Sequence, residues 1–464
     1  LVSVNNKPFA SYVKLVKVDE DTGKKVTLNS ASFKIKDAQG NYVVQKVSGT
    51  KVDTFTTNSD NEIIPVVEKG TVTLPLMLNA GTYTIEEIKT PKGFLDLEKP
   101  VEFVISSTYD YDVDEDADPI VEVKIRNRQP KGEIKLNKTV MDLDTDTDLV
   151  DRSDLSKIQF VLKAKEDIYS SIDGSLMFEK DSVITTENSG AIVNTGSEVG
   201  NGIYALSLDG HLDISNLPMS TKGASYYLQE VKTLDGCVLD TAQYDAVFKQ
   251  SDFTTKNYIK SFDVENKTTD FEFNKTDVTG DKEVEGAQLT ITDEDGNVVD
   301  QWTSDGKVHS IEGLVVGKTY TLSETVTAKD YVKATDIKFT VKNSSELETV
   351  TMKDKQVFVS KTTVGGEEVT GAHMQIIDED GNIIDEWYSE GKSHIANGLE
   401  EGKTYTLHED LSPLGFNLAN DFTFEVTKEK ENQTVEMIDT VTEVNKTDVD
   451  GKAVKEATLS IVSE

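Results

Sequence analysis

Cysteine is almost absent from this sequence, in which Cys237 is the single example among 464 residues. An intrachain disulfide is therefore excluded, so a secreted protein of this kind would need another source of covalent stability. Proline is also scarce, with 9 residues, and 30 glycines are too few for a collagenous or disordered chain. No apolar run approaches the length of a membrane helix, so we expect no membrane insertion in this part of the protein.

Basic residues are likewise few: 48 Lys and Arg stand against 84 Asp and Glu, which gives a net charge of −36. This charge excludes nucleic acid and anionic membranes as good partners.

The sequence starts at Leu1 without Met or a signal peptide and stops at Glu464. We therefore expect the export signal and the C-terminal attachment to lie outside the sequence given.

What the sequence does contain is a strand pattern with a carboxylate on its apolar face. In Thr404–Glu409, the residues Tyr405, Leu407 and Glu409 alternate with polar ones, as in a half-buried strand. The same order of aromatic, aliphatic and Glu occurs three more times, at Tyr83, Ile85 and Glu87; Tyr226, Leu228 and Glu230; and Tyr320, Leu322 and Glu324. A buried carboxylate is costly unless it is neutral or paired, so we expect each Glu to have a partner on a neighbouring strand.

Two other alternating strands supply candidate partners. The strands upstream of each Glu place two apolar residues and then a Lys on one face: Val13, Leu15, Lys17; Ile134, Leu136, Lys138; Phe271, Phe273, Lys275; and Val357, Val359, Lys361. The strands downstream end in Asn or Asp: Val123, Ile125, Asn127; Phe262, Val264, Asn266; Val350, Met352, Asp354; and Val435, Met437, Asp439. Each repeat therefore contributes one Lys, one Glu and one Asn or Asp to its interior.

Internal repetition defines the predicted domains. The Asp293–Asn297 turn and Trp302 recur as Asp378–Asn382 and Trp387, at an offset of about 85 residues. We predict an all-β chain of tandem Greek-key sandwiches, Ig-like or prealbumin-like, with about seven strands each and arranged as an elongated rod. The predicted domains are 1–129, 130–267 with an insertion from about Lys165 to Gly202, 268–355, 356–440, and a truncated fifth repeat at 441–464.

The order of these landmarks resembles the collagen-adhesin B-type domain, also called the SpaA-type or prealbumin-like pilin domain, of Gram-positive surface proteins. The segments YTIEEIKTPKGF, YTLSETVTAKDY and YTLHEDLSPLGF are similar to the E-box of that family, and YYLQEVKTLDGC is the most divergent. The resemblance implies autocatalytic isopeptide bonds assisted by Glu87, Glu230, Glu324 and Glu409. The implied bonds are Lys17 to Asn127, Lys138 to Asn266, Lys275 to Asp354 and Lys361 to Asp439. An ordinary buried ion pair is the alternative for each site.

The resemblance also implies a function. It implies the stalk of an adhesin on the cell surface, anchored to the cell wall or a pilus through the missing termini, with a host or neighbouring-cell ligand of unknown identity. A polymerising pilus backbone and the accessory β-domains of a secreted enzyme are the alternatives. We expect no enzymatic turnover beyond the single crosslinking reaction and no cofactor. If the chain binds a ligand, inserted loops favour the segment Lys165–Gly202.

Three other features are candidate sites. The alternating carboxylates Asp142, Asp144, Asp146 and Asp148, with Asp151 and Asp154, are weak candidates for calcium, because they lack the Gly and closing Glu of an EF-hand loop. We interpret this run, and Asp110–Asp118, as solvated loops in the first instance. The five histidines, His211, His309, His373, His394 and His408, show no metal spacing, and Trp302 and Trp387 are expected to pack on a sheet.

Overall fold

A computed structural model describes residues 9–107, 119–141, 149–460 and 462. Within these ranges the helices are a 3₁₀ turn at Leu155–Lys157 and a short α-helix, α1, at Thr186–Ser189. No helix in the described ranges has the length and apolarity needed to cross a membrane. The chain divides into two compact units, one with the first two predicted domains and the other with the third and fourth. The all-β prediction is therefore confirmed.

The third domain is a sandwich of two sheets. Its strands are β22 (Asp270–Asp277), β23 (Gln288–Thr292), β24 (Val298–Thr303), β25 (His309–Glu312), β26 (Thr319–Val326), β27 (Ile337–Thr340) and β28 (Glu348–Asp354). One sheet has the order β25-β22-β28 and the other β24-β23-β26-β27. The first and last strands are neighbours and run parallel. This pairing places the first and last strands side by side, with the start of the first and the end of the last at opposite ends of the sheet.

The fourth domain repeats this arrangement. Its strands are β29 (Val357–Thr363), β30 (Thr370–Ile377), β31 (Ile383–Glu390), β32 (His394–Ile395), β33 (Thr404–Leu411), β34 (Phe422–Glu425) and β35 (Gln433–Asp439). The sheets have the orders β32-β29-β35 and β31-β30-β33-β34, again with the first and last strands parallel. The prediction of seven strands holds for both compact domains.

The first domain adds short strands to the same plan. Its strands are β1 (Ala10–Asp19), β2 (Ser32–Lys36), β3 (Gln45–Val47), β4 (Thr50–Val52), β5 (Phe55–Thr56), β6 (Thr71–Thr73), β7 (Leu78–Asn79), β8 (Gly81–Lys89), β9 (Val101–Ile105) and β10 (Ile120–Asn127). The sheets are β10-β1-β6, to which β7 adds, and β5-β2-β8-β9, and β3 and β4 form a separate hairpin. Strands β1 and β10 pair in parallel.

The second domain is the most elaborate. Its strands are β11 (Lys131–Val140), β12 (Gln159–Ala164), β13 (Ile168–Tyr169), β14 (Leu176–Phe178), β15 (Ile192–Thr195), β16 (Ser197–Gly200), β17 (Ile203–Ala205), β18 (His211–Pro218), β19 (Ala224–Lys232), β20 (Gln243–Phe248) and β21 (Asn257–Asn266). The sheets are β15-β18-β11-β21 and β16-β17-β12-β19-β20. The predicted insertion supplies β13 to β16 and α1. The expectation of about seven strands is wrong for the two larger domains, because segments that were expected to be loops form additional short strands.

Alternation builds each core between the two sheets. In the fourth domain, Val359 and Met437 of one sheet pack against Met374 and Leu407 of the other, and all are buried. Side chains at alternate positions of a strand share one face, so the apolar residues found in the sequence meet in the interior. The predicted Asp-Gly-Asn turns also form: Asp378 N–H donates to the Asn382 carbonyl between β30 and β31.

The third and fourth domains are joined by two residues, Lys355 and Gln356, between β28 and β29. Contacts extend beyond this connection. The Asp330 N–H donates to Asn397 Oδ1 at 2.7 Å, and the buried Lys355 amine donates to Thr427 Oγ1 at 2.9 Å. These contacts support a short, stiff connection within this unit, and the elongated arrangement of the whole chain stays a prediction.

Candidate crosslinking sites

Parallel pairing places each Lys beside its predicted acceptor. The register is the same in all four domains, with Lys17 opposite Ile125, Lys138 opposite Val264, Lys275 opposite Met352 and Lys361 opposite Met437. In each case the Asn or Asp lies two residues further along the last strand. Residues two apart share a face of the strand, so Lys and acceptor both point into the sandwich. The four lysines are at most 2% exposed.

The Glu of each site comes from the opposite sheet. Glu87, Glu230, Glu324 and Glu409 lie on β8, β19, β26 and β33, which pair with β2, β12, β23 and β30. The prediction of a partner on a neighbouring strand is therefore wrong. The carboxylate instead reaches across the core to the Lys strand, because its apolar neighbours face the other sheet. Each site thus fastens both sheets at one point.

The second domain has the most complete set of contacts. The Lys138 amine lies 3.0 Å from Glu230 Oε2 and 2.5 Å from Asn266 Oδ1. Asn266 Nδ2 donates to Glu230 Oε1 at 2.7 Å and to the Thr233 hydroxyl. Both charged side chains are fully excluded from solvent, and the Phe160 ring lies 5.8 Å from the amine. The three predicted residues therefore form a closed triangle in the core.

In the third domain the same triangle contains Asp as the acceptor. The Lys275 amine lies 3.1 Å from Glu324 Oε1 and 2.5 Å from Asp354 Oδ1. The second Glu324 oxygen accepts the backbone N–H of Ala334 at 2.9 Å. The carboxylates are fully shielded from solvent. This is a buried site with two acids and one amine.

The fourth domain repeats these contacts. The Lys361 amine lies 3.1 Å from Glu409 Oε1 and contacts Asp439 Oδ1 closely. Glu409 Oε2 accepts the backbone N–H of Ala419 at 2.6 Å. The two compact domains therefore use the same backbone donor, ten residues after the Glu, to hold its carboxylate.

The first domain has a more open arrangement. The Lys17 amine donates to the Ile125 carbonyl at 3.2 Å. Asn127 Nδ2 donates to Glu87 Oε2 at 2.5 Å and to the Leu95 carbonyl at 2.8 Å. Asn127 Oδ1 is buried and makes no hydrogen bond within the described ranges. The amine and the amide are thus brought to one site, but each is hydrogen-bonded to other groups.

Burial shifts the acidity of these groups in the directions that amide formation needs. It lowers the pKa of Lys17 from 10.5 to about 8, against the opposing charges of Glu87 and Asp19. Burial also raises the pKa of Glu87 and of Glu230. For Asp354, burial raises the pKa to about 7; the Lys275 charge opposes this shift and the Glu324 charge adds to it. Burial therefore brings the neutral forms of Lys17, Glu87, Glu230 and Asp354 closer to neutral pH than they are in solvent.

A hydroxyl group near the sites was missed in the sequence. Thr90 Oγ1 donates to Glu87 at 3.1 Å and to Asp96 at 2.5 Å, and Thr233 Oγ1 accepts from Asn266. Both threonines lie three residues after the Glu. The equivalent positions are Thr327 and Ser412, so a hydroxyl residue follows every Glu at the same spacing. The constant spacing of three residues between the Glu and a hydroxyl residue is the sequence pattern that indicates this group.

The other candidate residues have local roles. Trp302 stacks on His309 with ring centroids 4.1 Å apart, and His309 Nε2 lies 2.7 Å from Asp300. Trp387 and His394 repeat this arrangement at 4.0 Å. Trp302 and Trp387 also pack against the hydrophobic cores of their domains, as expected from the sequence. The remaining histidines also lie beside carboxylates: His211 near Asp209, His373 near Glu386 and Asp410, and His408 near Asp421.

The calcium candidates Asp142, Asp144, Asp146 and Asp148 lie outside the described residues, as does the whole of Asp110–Asp118. Asp151 and Asp154 are described, and both accept hydrogen bonds from nearby serines, Ser153 and Ser156. Within the described ranges, no group of three or more His, Cys, Asp or Glu side chains is arranged to hold a metal ion. The calcium hypothesis stays a weak prediction.

A family model described as the SpaA prealbumin-like fold domain matches residues 11–118, 269–356 and 355–441, which together make up more than half of the chain. The second domain is not among the matched segments. It carries the insertion and the most divergent E-box. A comparison with curated protein sequences gave no significant match.

Similar solved structures include three bacterial proteins. The Bacillus anthracis TIE protein is 15% identical, with 94% of this chain and 76% of that chain covered and a TM-score of 0.31. BcpA, the major pilin subunit of Bacillus cereus, is 15% identical, with 75% and 99% covered and a TM-score of 0.33. The shaft pilin SpaA from Lactobacillus rhamnosus GG is 14% identical, with 38% and 98% covered and a TM-score of 0.21. Because TM-scores this low do not establish a shared fold, membership of a family is assigned from the family model.

Proposed function

This chain belongs to the SpaA family of prealbumin-like fold domains, and we propose that it is a structural segment of a bacterial surface stalk whose domains crosslink themselves. The observation that carries the proposal is the fourfold recurrence of a buried amine, a carbonyl acceptor and a Glu in one register. A single buried Lys and Glu would support only an ion pair. Asn at two acceptor positions favours amide formation, because a simple ion pair has no need of an amide.

The proposed reaction follows from the contacts. The neutral Lys amine attacks the acceptor carbonyl carbon, and the protonated Glu lies beside the leaving group, as Glu230 Oε1 does beside Asn266 Nδ2. A bond forms between Nζ and Cγ, and the bond from Cγ to the leaving nitrogen or oxygen breaks. The Glu carries the amine proton to the leaving group, which departs as ammonia from Asn or as water from Asp. Folding supplies the high effective concentration that this slow step requires.

The crosslinks would suit a protein under tension. Each bond would join the first strand of a domain to its last, so a force on the chain ends would pass through a covalent bond. This would give the stability that a chain with a single cysteine cannot gain from an internal disulfide. We infer an extracellular location on these grounds, with attachment to a cell wall or a pilus.

Intact mass spectrometry tests this proposal. The unmodified chain should lack the mass of two ammonias and two waters. Glu87→Ala or Glu230→Ala should restore one ammonia each, and Glu324→Ala or Glu409→Ala one water each. Glu86→Ala is a matched control, because Glu86 lies next to Glu87 and pairs with Lys36 on the other face.

An unreduced mass for the unmodified chain would reject the crosslinks and leave four ordinary buried ion pairs. Peptide mapping adds a second readout, since each linked peptide should contain one predicted Lys and its acceptor. Lys446 is exposed and has no predicted acceptor among these residues, so its amine should remain unlinked. The proposed ligand-binding role of Lys165–Gly202 stays a prediction.

A further inference from the structure

The two acceptor types are held by different neighbouring atoms. A side-chain amide has two N–H donors on one end and an acceptor oxygen on the other, so its orientation decides which atom faces the amine. In Asn266, one N–H is donated to Glu230 and the other to Thr233. In Asn127, one is donated to Glu87 and the other to the Leu95 carbonyl. Both hydrogens of the leaving NH₂ group are therefore bound at both Asn sites.

These partners fix the amide in one orientation. The Leu95 carbonyl can only accept, so it must face the NH₂ end of Asn127. In the second domain Glu230 and Thr233 hold Asn266 Nδ2, which leaves Asn266 Oδ1 facing Lys138, 2.5 Å from the amine. The leaving nitrogen lies beside the Glu that would protonate it. The carbonyl group of Asn266, whose carbon Lys138 must attack, lies at the end of the amide that faces the amine.

The Asp sites hold their Glu differently. Glu324 and Glu409 each have one oxygen bound to a backbone N–H, from Ala334 and Ala419. The hydroxyl of Ser412, three residues after Glu409, is buried and makes no hydrogen bond in the part of the chain that the structure describes. A carboxyl group can carry its proton on either oxygen, so it needs no partner that distinguishes one end from the other.

We propose that Thr233 and the Leu95 carbonyl determine acceptor specificity, selecting asparagine by binding the second hydrogen of its leaving NH₂ group. This inference rests on the proposed crosslinking function. With Asn, the bond from Nζ to Cγ forms, the bond from Cγ to Nδ2 breaks, and Nδ2 departs as ammonia. Thr233 is a positioning residue in this scheme, because it orients the amide and exchanges no proton.

Kinetics of crosslinking at the second site test the role of Thr233. The full chain is made by short cell-free synthesis, recovered in guanidinium and diluted into buffer. Samples are quenched in acid at successive times, and the Lys138–Asn266 linked peptide is quantified after digestion. We expect Thr233→Val to slow this crosslink about tenfold, the effect of one lost hydrogen bond, and Thr233→Ser to restore the rate.

Two further variants separate specificity from structure. In an Asn266→Asp chain, Thr233→Val should change the rate by less than about twofold, since a carboxyl group presents an oxygen to Lys138 in either orientation, with or without Thr233. Ser412→Ala is the matched control at an Asp site and should leave the Lys361–Asp439 crosslink unchanged. Equal slowing by Thr233→Val with Asn266 and with Asp at that position would overturn the inference, as would no slowing at all.

A variant in another domain keeps the test decisive if Thr233→Val fails to fold. The hydroxyl of Ser412, at the position equivalent to Thr233, is buried and makes no hydrogen bond in the described ranges. In an Asp439→Asn chain it is the available acceptor for the second N–H of the new amide, so adding Ser412→Ala should slow that crosslink about tenfold. An unchanged rate on adding Ser412→Ala to the Asp439→Asn chain would contradict the inference. The absence of all four crosslinks from the unmodified chain would instead reject the proposed function itself.

Discussion

The first two domains contain ten and eleven strands in the described ranges, whereas the third and fourth contain seven each. The larger pair uses Asn as acceptor and the compact pair uses Asp. Despite these differences, the register between the first and last strands is the same in all four. The comparison shows which feature is constrained: two parallel strands in fixed register and one Glu from the facing sheet. Loops and edge strands vary freely around it.

The two pairs also differ in how the Glu is supported. Side-chain hydroxyls contact the site in the first two domains, at Thr90 and Thr233, whereas backbone N–H groups do so in the last two, at Ala334 and Ala419. Asn and Asp acceptors therefore occur in different hydrogen-bond environments. The same pattern of Lys, Glu and Asn or Asp in the sequence therefore corresponds to two kinds of site, one with side-chain hydroxyls and one with backbone N–H donors.

The largest expected difference between the pairs is in extension under force. In the unmodified chain, the residues enclosed by each crosslink should not extend. Glu230→Ala should release up to roughly 450 Å when the second domain unfolds, and Glu409→Ala roughly 270 Å for the fourth, because the enclosed segments differ in length. Single-molecule force spectroscopy measures these steps. Asp410→Ala is the control, as Asp410 is exposed beside Glu409, and it should add no step.

Steps of these lengths in the unmodified chain would show that the domains are not closed covalently. Equal steps from the two Glu variants would contradict the assigned pairs, since the lengths follow from which residues are joined.

The loss of thermodynamic stability should be similar in the two pairs. By analogy with disulfide closure of long loops, losing one crosslink should lower the free energy of unfolding of its domain by about 4 kcal/mol. Loop-closure entropy grows slowly with length, so the values for Glu230→Ala and Glu409→Ala should differ by less than about 1 kcal/mol. Denaturant unfolding of the two variants measures both quantities. Asp410→Ala should change the free energy by less than about 0.5 kcal/mol, and a loss as large as that of Glu409→Ala would mean that a crosslink is not the cause.

Much of the fold and of the site geometry followed from the sequence, because a polar residue on an apolar face has few explanations. Lys361, Glu409 and Asp439 each end an alternating apolar series, and the structure brings them together. Alternation identifies which face of a strand is buried. It carries no information on which sheet the strand joins, and so the Glu was assigned to a neighbouring strand although it faces the Lys strand from the other sheet.

The supporting contacts were less accessible to sequence reasoning. The Ala334 N–H and the Leu95 carbonyl are backbone groups, which every residue carries, so no residue type signals their role. The Thr233 hydroxyl did have a signal in its spacing after Glu230. The extra strands of the larger domains, such as β16 at Ser197–Gly200, are short and half-exposed, and their sequences lack the strong alternation of the core strands.

The smallest expected difference is in the pH dependence of crosslinking at the first and third sites. Lys17 must be neutral to attack, and its pKa of about 8 means that the reactive form increases as the pH rises toward 8. Asp354 must be protonated to lose water, and its pKa of about 7 means that the reactive form decreases as the pH rises through 7. Both sites need a neutral amine, so the requirement at Lys275 offsets that at Lys17 in the ratio, and the Asp354 proton remains as the difference. The ratio of the first rate to the third should therefore rise by up to about tenfold from pH 6 to pH 8, and deprotonation of Glu87 limits the rise. Chains recovered in guanidinium after short synthesis are diluted into buffers at both pH values. The two linked peptides are quantified in one digest, so that each site serves as the reference for the other.

A ratio that stays constant or falls over this range would mean that the ionisation of Lys17 and Asp354 does not govern the two reactions. The proposed roles of neutral amine and protonated acid would then have to be abandoned.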